Sequence, residues 1–164
     1  MAYDPERWHD AFIMLGGAAA ALTGLVFVAL SIHLGEIGTN RFQKLRGHYL
    51  TFGLIYLTVI SALVLIPGQG DNTLGVELLL GGVAAVVVTG VPLLEMRSQL
   101  PNTLGFHARV VALTVALALN FAAGVSLIVR AGGGLYLLVA ALLIAMVANV
   151  SGAWSLLMGL AAND

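Results

Sequence analysis

The sequence predicts an all-α integral membrane bundle of about five transmembrane helices, forming a single domain over residues 1–164. Three observations carry that expectation. Of 164 residues, 60% are hydrophobic and only 9% are charged, against roughly 25% charged in a soluble domain. So little polar surface cannot coat a water-exposed core. The charges fall in short clusters, and the stretches between them stay apolar for about 20 residues, enough to cross a hydrocarbon layer about 30 Å thick. Those stretches lack the two-residue alternation of barrel strands, so only helices satisfy their backbone amides in lipid.

Five spans follow, at about residues 11–34, 49–67, 74–95, 109–130 and 135–160. Asp4-Pro5 reads as an N-cap followed by a proline at the first helical position, with Trp8 and His9 at the interface. Pro67 ends the second span, and Gly68-Gln69-Gly70-Asp71-Asn72 reads as a tight polar turn. Asn72 or Thr73 is expected to cap the third span, and Asn102 or Thr103 the fourth. The sequence Asn-Thr-Leu-Gly occurs at both 72–75 and 102–105. The residues that follow do not match, so this is capping chemistry used twice and not an internal repeat. Pro92 is expected to kink the end of the third span. Gly132-Gly133-Gly134 breaks the chain between the last two.

Charge and composition exclude several classes. A net charge of −1 argues against attraction to nucleic acid. The absence of cysteine removes disulfides, thiolate metal sites and cysteine nucleophiles. Asp4, Glu6 and Asp10 replace the basic start of a signal peptide, so the first span is expected to remain as an anchor. Arg41, Lys44, Arg46, Arg97 and Arg109 flank one set of connections, and only Arg7 and Arg130 the other. The positive-inside rule then puts the N-terminus outside and the C-terminus in the cytoplasm.

Helices in lipid associate where small residues allow close approach. In the fifth span Ala141, Ala145, Ala148, Gly152, Ser155 and Gly159 recur at spacings of four and three, the seam of a left-handed coiled-coil-like contact. Gly17, Ala21, Gly24, Val28, Ser31 and Gly35 do the same in the first. The third span offers Gly75, Gly82, Ala85 and Thr89, and the second Gly47, Thr51, Thr58 and Ser61. These seams are expected to pack within one chain, with a subunit interface as the alternative for one of them.

Polar residues at mid-depth form the candidate site: Thr23, Thr58, Asn120 and Asn149. Such a layer either lines a solute pathway or acts as packing glue through interhelical hydrogen bonds. Asn120 lies ten residues before Arg130 and Asn149 fourteen after Leu135, a difference in depth of roughly 6 Å at 1.5 Å per residue. Direct contact between the two amides is therefore expected, with a shared polar cavity as the alternative. Glu77, the nearest acidic candidate for a proton or cation path, falls in the first turn of the third span, where it also complements the helix dipole.

His33, His48 and His107 map to one rim together with Glu36 and Glu95, a weak candidate for a metal or haem. Their spacing fits no compact metal motif, so no metal or cofactor is expected. His9 belongs to the opposite face. No Gly-x-Ser-x-Gly and no His-Glu-x-x-His occurs. Ser151, in Val150-Ser151-Gly152, lacks a histidine at its depth to act as base, so no catalytic residue is expected.

The first span, Gly16-Gly17-Ala18-Ala19-Ala20-Ala21-Leu22-Thr23-Gly24-Leu25-Val26-Phe27-Val28-Ala29-Leu30-Ser31-Ile32, resembles a segment of small polytopic bacterial inner-membrane proteins with no assigned function. Leu65-Ile66-Pro67-Gly68-Gln69 and Leu74-Gly75-Val76-Glu77-Leu78-Leu79 share that resemblance, which implies a bacterial inner membrane and carries no activity. Six arginines against one lysine also match a GC-rich genome. Two functions fit these readings. One is a homo-oligomer that forms or flanks a pathway for a small solute or ion. The alternative is an accessory or scaffolding subunit of a larger membrane complex. In both the partners are the lipid bilayer and other membrane chains, not nucleic acid.

Overall fold

The computed structural model describes residues 2–33, 35, 41–95 and 104–161, with side chains described as far as residue 90 in the third helix and 158 in the fifth. It contains α1 (His9–Ile32), α2 (Arg41–Val64), α3 (Asp71–Glu95), α4 (Leu104–Val129) and α5 (Gly134–Ala161), with no strand among the described residues. All five are long and apolar enough to cross a membrane. At 24 to 28 residues and 1.5 Å per residue they reach about 36–42 Å. Their ends therefore project beyond a hydrocarbon core of about 30 Å.

Several helix ends differ from the sequence expectation. α2 starts at Arg41, so Lys44, Arg46 and His48 lie on the helix and not in a loop. Good helix formers in this stretch (Arg, Gln, Lys, Leu) allow the helix to continue into the headgroup layer. α3 starts at Asp71, where the Leu74 amide donates to the Gly70 carbonyl at 3.1 Å. Asn72 and Thr73 are exposed inside its first turn and do not precede it as caps. Gly68, at φ +72°, makes the turn before it. Asp4 occupies the N-cap position with Pro5 following it, as expected, but its side chain caps no backbone amide. Pro5–Trp8 is a short 3₁₀ turn, and the Asp4 carboxylate accepts from Arg7 Nε at 3.1 Å. Asn102, Thr103 and Arg97 lie outside the described residues.

α2, α3, α4 and α5 form a ring in which each helix packs on the next and α5 closes on α2, while α1 sits outside against α2 and α5. The half of the bundle near the α4–α5 turn is solid. Phe12, Val64, Leu74, Leu78, Leu127 and Leu135 are all buried there. In the same half α3 and α4 touch backbone to backbone: a Cβ on Gly75 would lie 2.8 Å from the Gly124 carbonyl oxygen, and one on Gly124 3.0 Å from that of Gly75. At the far end a smaller cluster of Leu50, Ala153 and Leu156 joins α1, α2 and α5.

Two of the small-residue seams behave differently. On α5, Ala141, Ala148 and Gly152 are buried and Ala145 and Ser155 half-buried, as expected of a packed seam. On α1, Gly17, Ala21, Gly24, Val28, Ser31 and Gly35 are all exposed, so the expectation that this seam packs within the chain fails. The reason lies on α2, which supplies small residues at that contact. Gly47 receives Leu30, whose methyls would lie 3.4 Å from a Cβ there, and Ser61 abuts Gly16. α1 meets it with Leu30 and with a different small pair, Gly16 and Ala19, and turns the Gly17–Gly24 face outward.

The turn between α4 and α5 is tied down by the N-terminal segment. Gly132 and Gly133 take φ near +90° and Arg130 takes +54°, which explains the glycine run. The Leu135 amide donates to the Ala2 carbonyl at 3.0 Å, and the Gly133 amide to the Tyr3 hydroxyl at 2.9 Å. Trp8 meets Tyr136 edge to face at 4.6 Å.

Candidate functional site: a cavity inside the four-helix ring

The half of the ring away from the α4–α5 turn is hollow. A cavity of about 380 Å³ lies among α2, α3, α4 and α5, and α1 contributes nothing to its wall. This volume is within the range of small-molecule sites, about 300–1,000 Å³. The wall is mostly aliphatic, with a few polar groups from Tyr56, Thr89, Asn120 and Asn149. Its mouth opens sideways between α2 and α3, where Phe52, Ile55, Val59 and Val88 are exposed.

Both asparagines expected at mid-depth are buried and line this one cavity, but they do not bond to each other. Asn120 Nδ2 donates across to the Leu78 carbonyl on α3 at 3.0 Å, and Asn149 Nδ2 donates to Ala145 on its own helix at 2.8 Å. The Oδ1 atoms of both make no hydrogen bond. The expected amide pair is thus replaced by its alternative, a shared cavity. A helix interior explains why the oxygens are left over. Its carbonyls can accept a second proton, but its N–H groups are already engaged, so a buried side-chain acceptor finds no local donor.

Thr23 and Thr58 illustrate the converse and do not join the site. Each hydroxyl donates to a carbonyl one turn back, Ala19 at 2.7 Å and Leu54 at 3.1 Å, and neither residue lines the cavity. Glu77 is also elsewhere, accepting from Gln69 at the end of α3 near the α2–α3 turn. The histidine rim does not assemble. His33 bonds the Ala29 carbonyl through Nδ1 at 3.0 Å, His48 packs on Phe52, and His107 packs on Phe106. Among the described residues no three His, Asp or Glu side chains come together. Glu36 and the side chain of Glu95 lie outside them.

Two cavity features, Tyr56 and Gly53, were missing from the sequence reading, which includes Gly82 only as a seam residue. Tyr56 places its hydroxyl towards Asn120 without hydrogen-bond geometry. Gly53 makes room for the Asn149 amide, since a Cβ there would collide with Oδ1. Gly82 does the same for Asn120, whose Nδ2 would lie 3.0 Å from its Cβ. A lone glycine in the middle of the second span was the available signal for Gly53; nothing in the sequence marked Tyr56.

A second, smaller cavity of about 150 Å³ adjoins the first at the end bearing Arg46 and Arg109, sharing Tyr49, Thr89, Leu113 and Leu117 with it. Arg46 and Arg109 both line it and lie close enough to repel one another. Arg46 donates to Ser155 Oγ at 3.0 Å and sits over the Phe42 ring, its Cζ 5.7 Å from the centroid. Arg109 Nε donates to the Gly105 carbonyl at 3.1 Å. Neither meets a carboxylate among the described residues, whereas Arg7 and Arg130 pair with Asp4 and Asp71 at 3.1 and 2.8 Å.

The chain matches no protein-family model, no curated protein and no solved structure.

Proposed function

We propose that this is a non-enzymatic multi-pass membrane protein that holds a small solute in its intramembrane cavity and provides part of a pathway for it. The observation that carries this reading is the trio of unpartnered oxygens, Asn120 Oδ1, Asn149 Oδ1 and the Tyr56 hydroxyl, in or beside one chamber. Buried polar atoms are costly when unmatched; these three are covered by their immediate neighbours, so a solute in the chamber donates to them only after those neighbours shift. The aliphatic wall carries no charge at this depth, which favours a weakly polar or amphiphilic solute over a hydrated ion. The protein contains no cysteine, so introduced thiols report accessibility without background. Ala116→Cys on the cavity wall should react with methyl methanethiosulfonate, and Ala123→Cys in the solid half should not. Equal protection of both would leave the cavity a closed void and turn the balance to the scaffolding alternative.

The same reading includes self-association, through the exposed small-residue face of α1, and a bacterial inner membrane with the N-terminus outside. The charge bias of the connections supports that orientation. In intact cells an impermeant thiol reagent should label Asp71→Cys and spare Arg41→Cys. The reverse pattern would invert the topology.

A further inference from the structure

We propose that Arg46 and Arg109 seat the phosphate of an anionic phospholipid whose acyl chain enters the large cavity from the side. This rests on reading that cavity as a binding site and names the class of molecule it takes. The charge argument comes first. Two guanidinium groups share a small cavity, repel each other, and meet no carboxylate among the described residues. A guanidinium has five donors, and the hydrogen bonds to Ser155 and Gly105 use few of them. An anion between the two converts repulsion into attraction, and phosphate matches the forked geometry of arginine.

Depth makes this phosphate part of a lipid. Tyr56 lies ten residues beyond Arg46 on α2, about 15 Å at 1.5 Å per residue, which is half of a hydrocarbon core of about 30 Å. The arginines therefore sit at headgroup level when the Tyr56–Asn120 region sits at the midplane. The two cavities adjoin through Tyr49, Thr89, Leu113 and Leu117, giving an aliphatic chamber one leaflet deep below a cationic one. The sideways mouth between α2 and α3 faces the acyl region, so a chain can enter without crossing water. A free phosphate ion has no use for the apolar chamber.

The test uses the full chain, purified and delipidated in a neutral detergent, titrated with phosphatidylglycerol, with phosphatidylcholine of the same chains, and with inorganic phosphate. Native mass spectrometry reads bound lipid, and the melting temperature checks that each variant is folded. Phosphatidylglycerol should bind at least about tenfold more tightly than phosphatidylcholine, and Arg46→Gln and Arg109→Gln should each weaken it by about tenfold. Arg130→Gln, at the carboxylate-paired end, should not change it. Bound phosphatidylglycerol should also protect Ala116→Cys from methyl methanethiosulfonate.

Equal binding of the two lipids, or an Arg130→Gln effect matching that of Arg46→Gln, overturns the proposal. Inorganic phosphate competing as strongly as the lipid would make this a free-anion site and overturn it as well. If phosphatidylglycerol fails to bind while Ala116→Cys still reacts, the lipid is wrong and the cavity reading stands. If Ala116→Cys is inert without lipid, the cavity reading has failed.

Discussion

The two halves of the ring use glycine in opposite ways. In the solid half Gly75 and Gly124 bring two backbones together, and the adjoining Arg130 is matched by Asp71. In the hollow half Gly53 and Gly82 make room for amide side chains whose oxygens remain unmatched, and Arg46 and Arg109 meet no carboxylate among the described residues. Unmatched buried oxygens also occur near the solid end, at Ser61 and Gln69, so the halves differ in packing and in the charges around the cavity rather than in polar satisfaction alone.

The largest expected effect comes from filling the solid half. Gly75→Leu would place a side chain where the nearest backbone atom is already 2.8 Å from a Cβ, and backbone cannot swing aside as a side chain can. Destabilisation should reach or exceed the upper end of the usual overpacking cost of about 1–3 kcal/mol. Thermal unfolding in detergent that matched wild type would show that α3 and α4 do not meet there.

Gly152→Leu should cost less, within about 1–3 kcal/mol. Its Cβ would meet the Leu50 methyl at 2.6 Å, but that contact is a flexible side chain, and the smaller cavity lies beside it. A loss larger than that of Gly75→Leu would contradict the contrast between the halves.

Leucine at Asn120 and Asn149, singly and together, gives a smaller and more diagnostic result. Asn120→Leu loses an interhelical hydrogen bond worth about 0.6 kcal/mol on average in a membrane. Because the amides do not bond each other, the coupling energy should stay below about 0.5 kcal/mol. A coupling above 1 kcal/mol, about the scale of a direct bond, would restore the amide pair.

The smallest effect on folding belongs to the outer face of α1. A Cβ on Gly24 meets open space, so Gly24→Leu should leave the melting temperature nearly unchanged, within the roughly 0.5 kcal/mol of a surface substitution. A fall in oligomer mass with stability intact is expected if subunits meet there, and an unchanged mass would remove α1 as the interface.

These contrasts mark what the chain reveals in one dimension. Hydropathy runs expose the five spans because crossing lipid is a property of each segment alone. Asn120 and Asn149 were conspicuous for the same reason: two amides inside apolar runs. Thr23 and Thr58 looked equivalent by depth, yet a hydroxyl can donate to its own helix and an amide oxygen cannot be satisfied there. The α1 and α5 seams looked equivalent by spacing, and only the partner helix decides which one is used. The pairing of Arg46 with Arg109 depends on α2 and α4 facing one ring, which no local pattern encodes. Charge counting had assigned both arginines to topology alone.

The contacts from Ala2 and Tyr3 to the α4–α5 turn also bear on biogenesis. Spans enter the bilayer in the order of synthesis, but Ala2 and Tyr3 find their hydrogen-bond partners only at residues 133–135. Ala2 and Tyr3 stay without these partners until the α4–α5 hairpin has formed. This contact is among the longest in sequence separation and therefore among the slowest to form. Until it closes, the amides of Gly133 and Leu135 remain open to water, so their late protection from hydrogen exchange would time the completion of assembly.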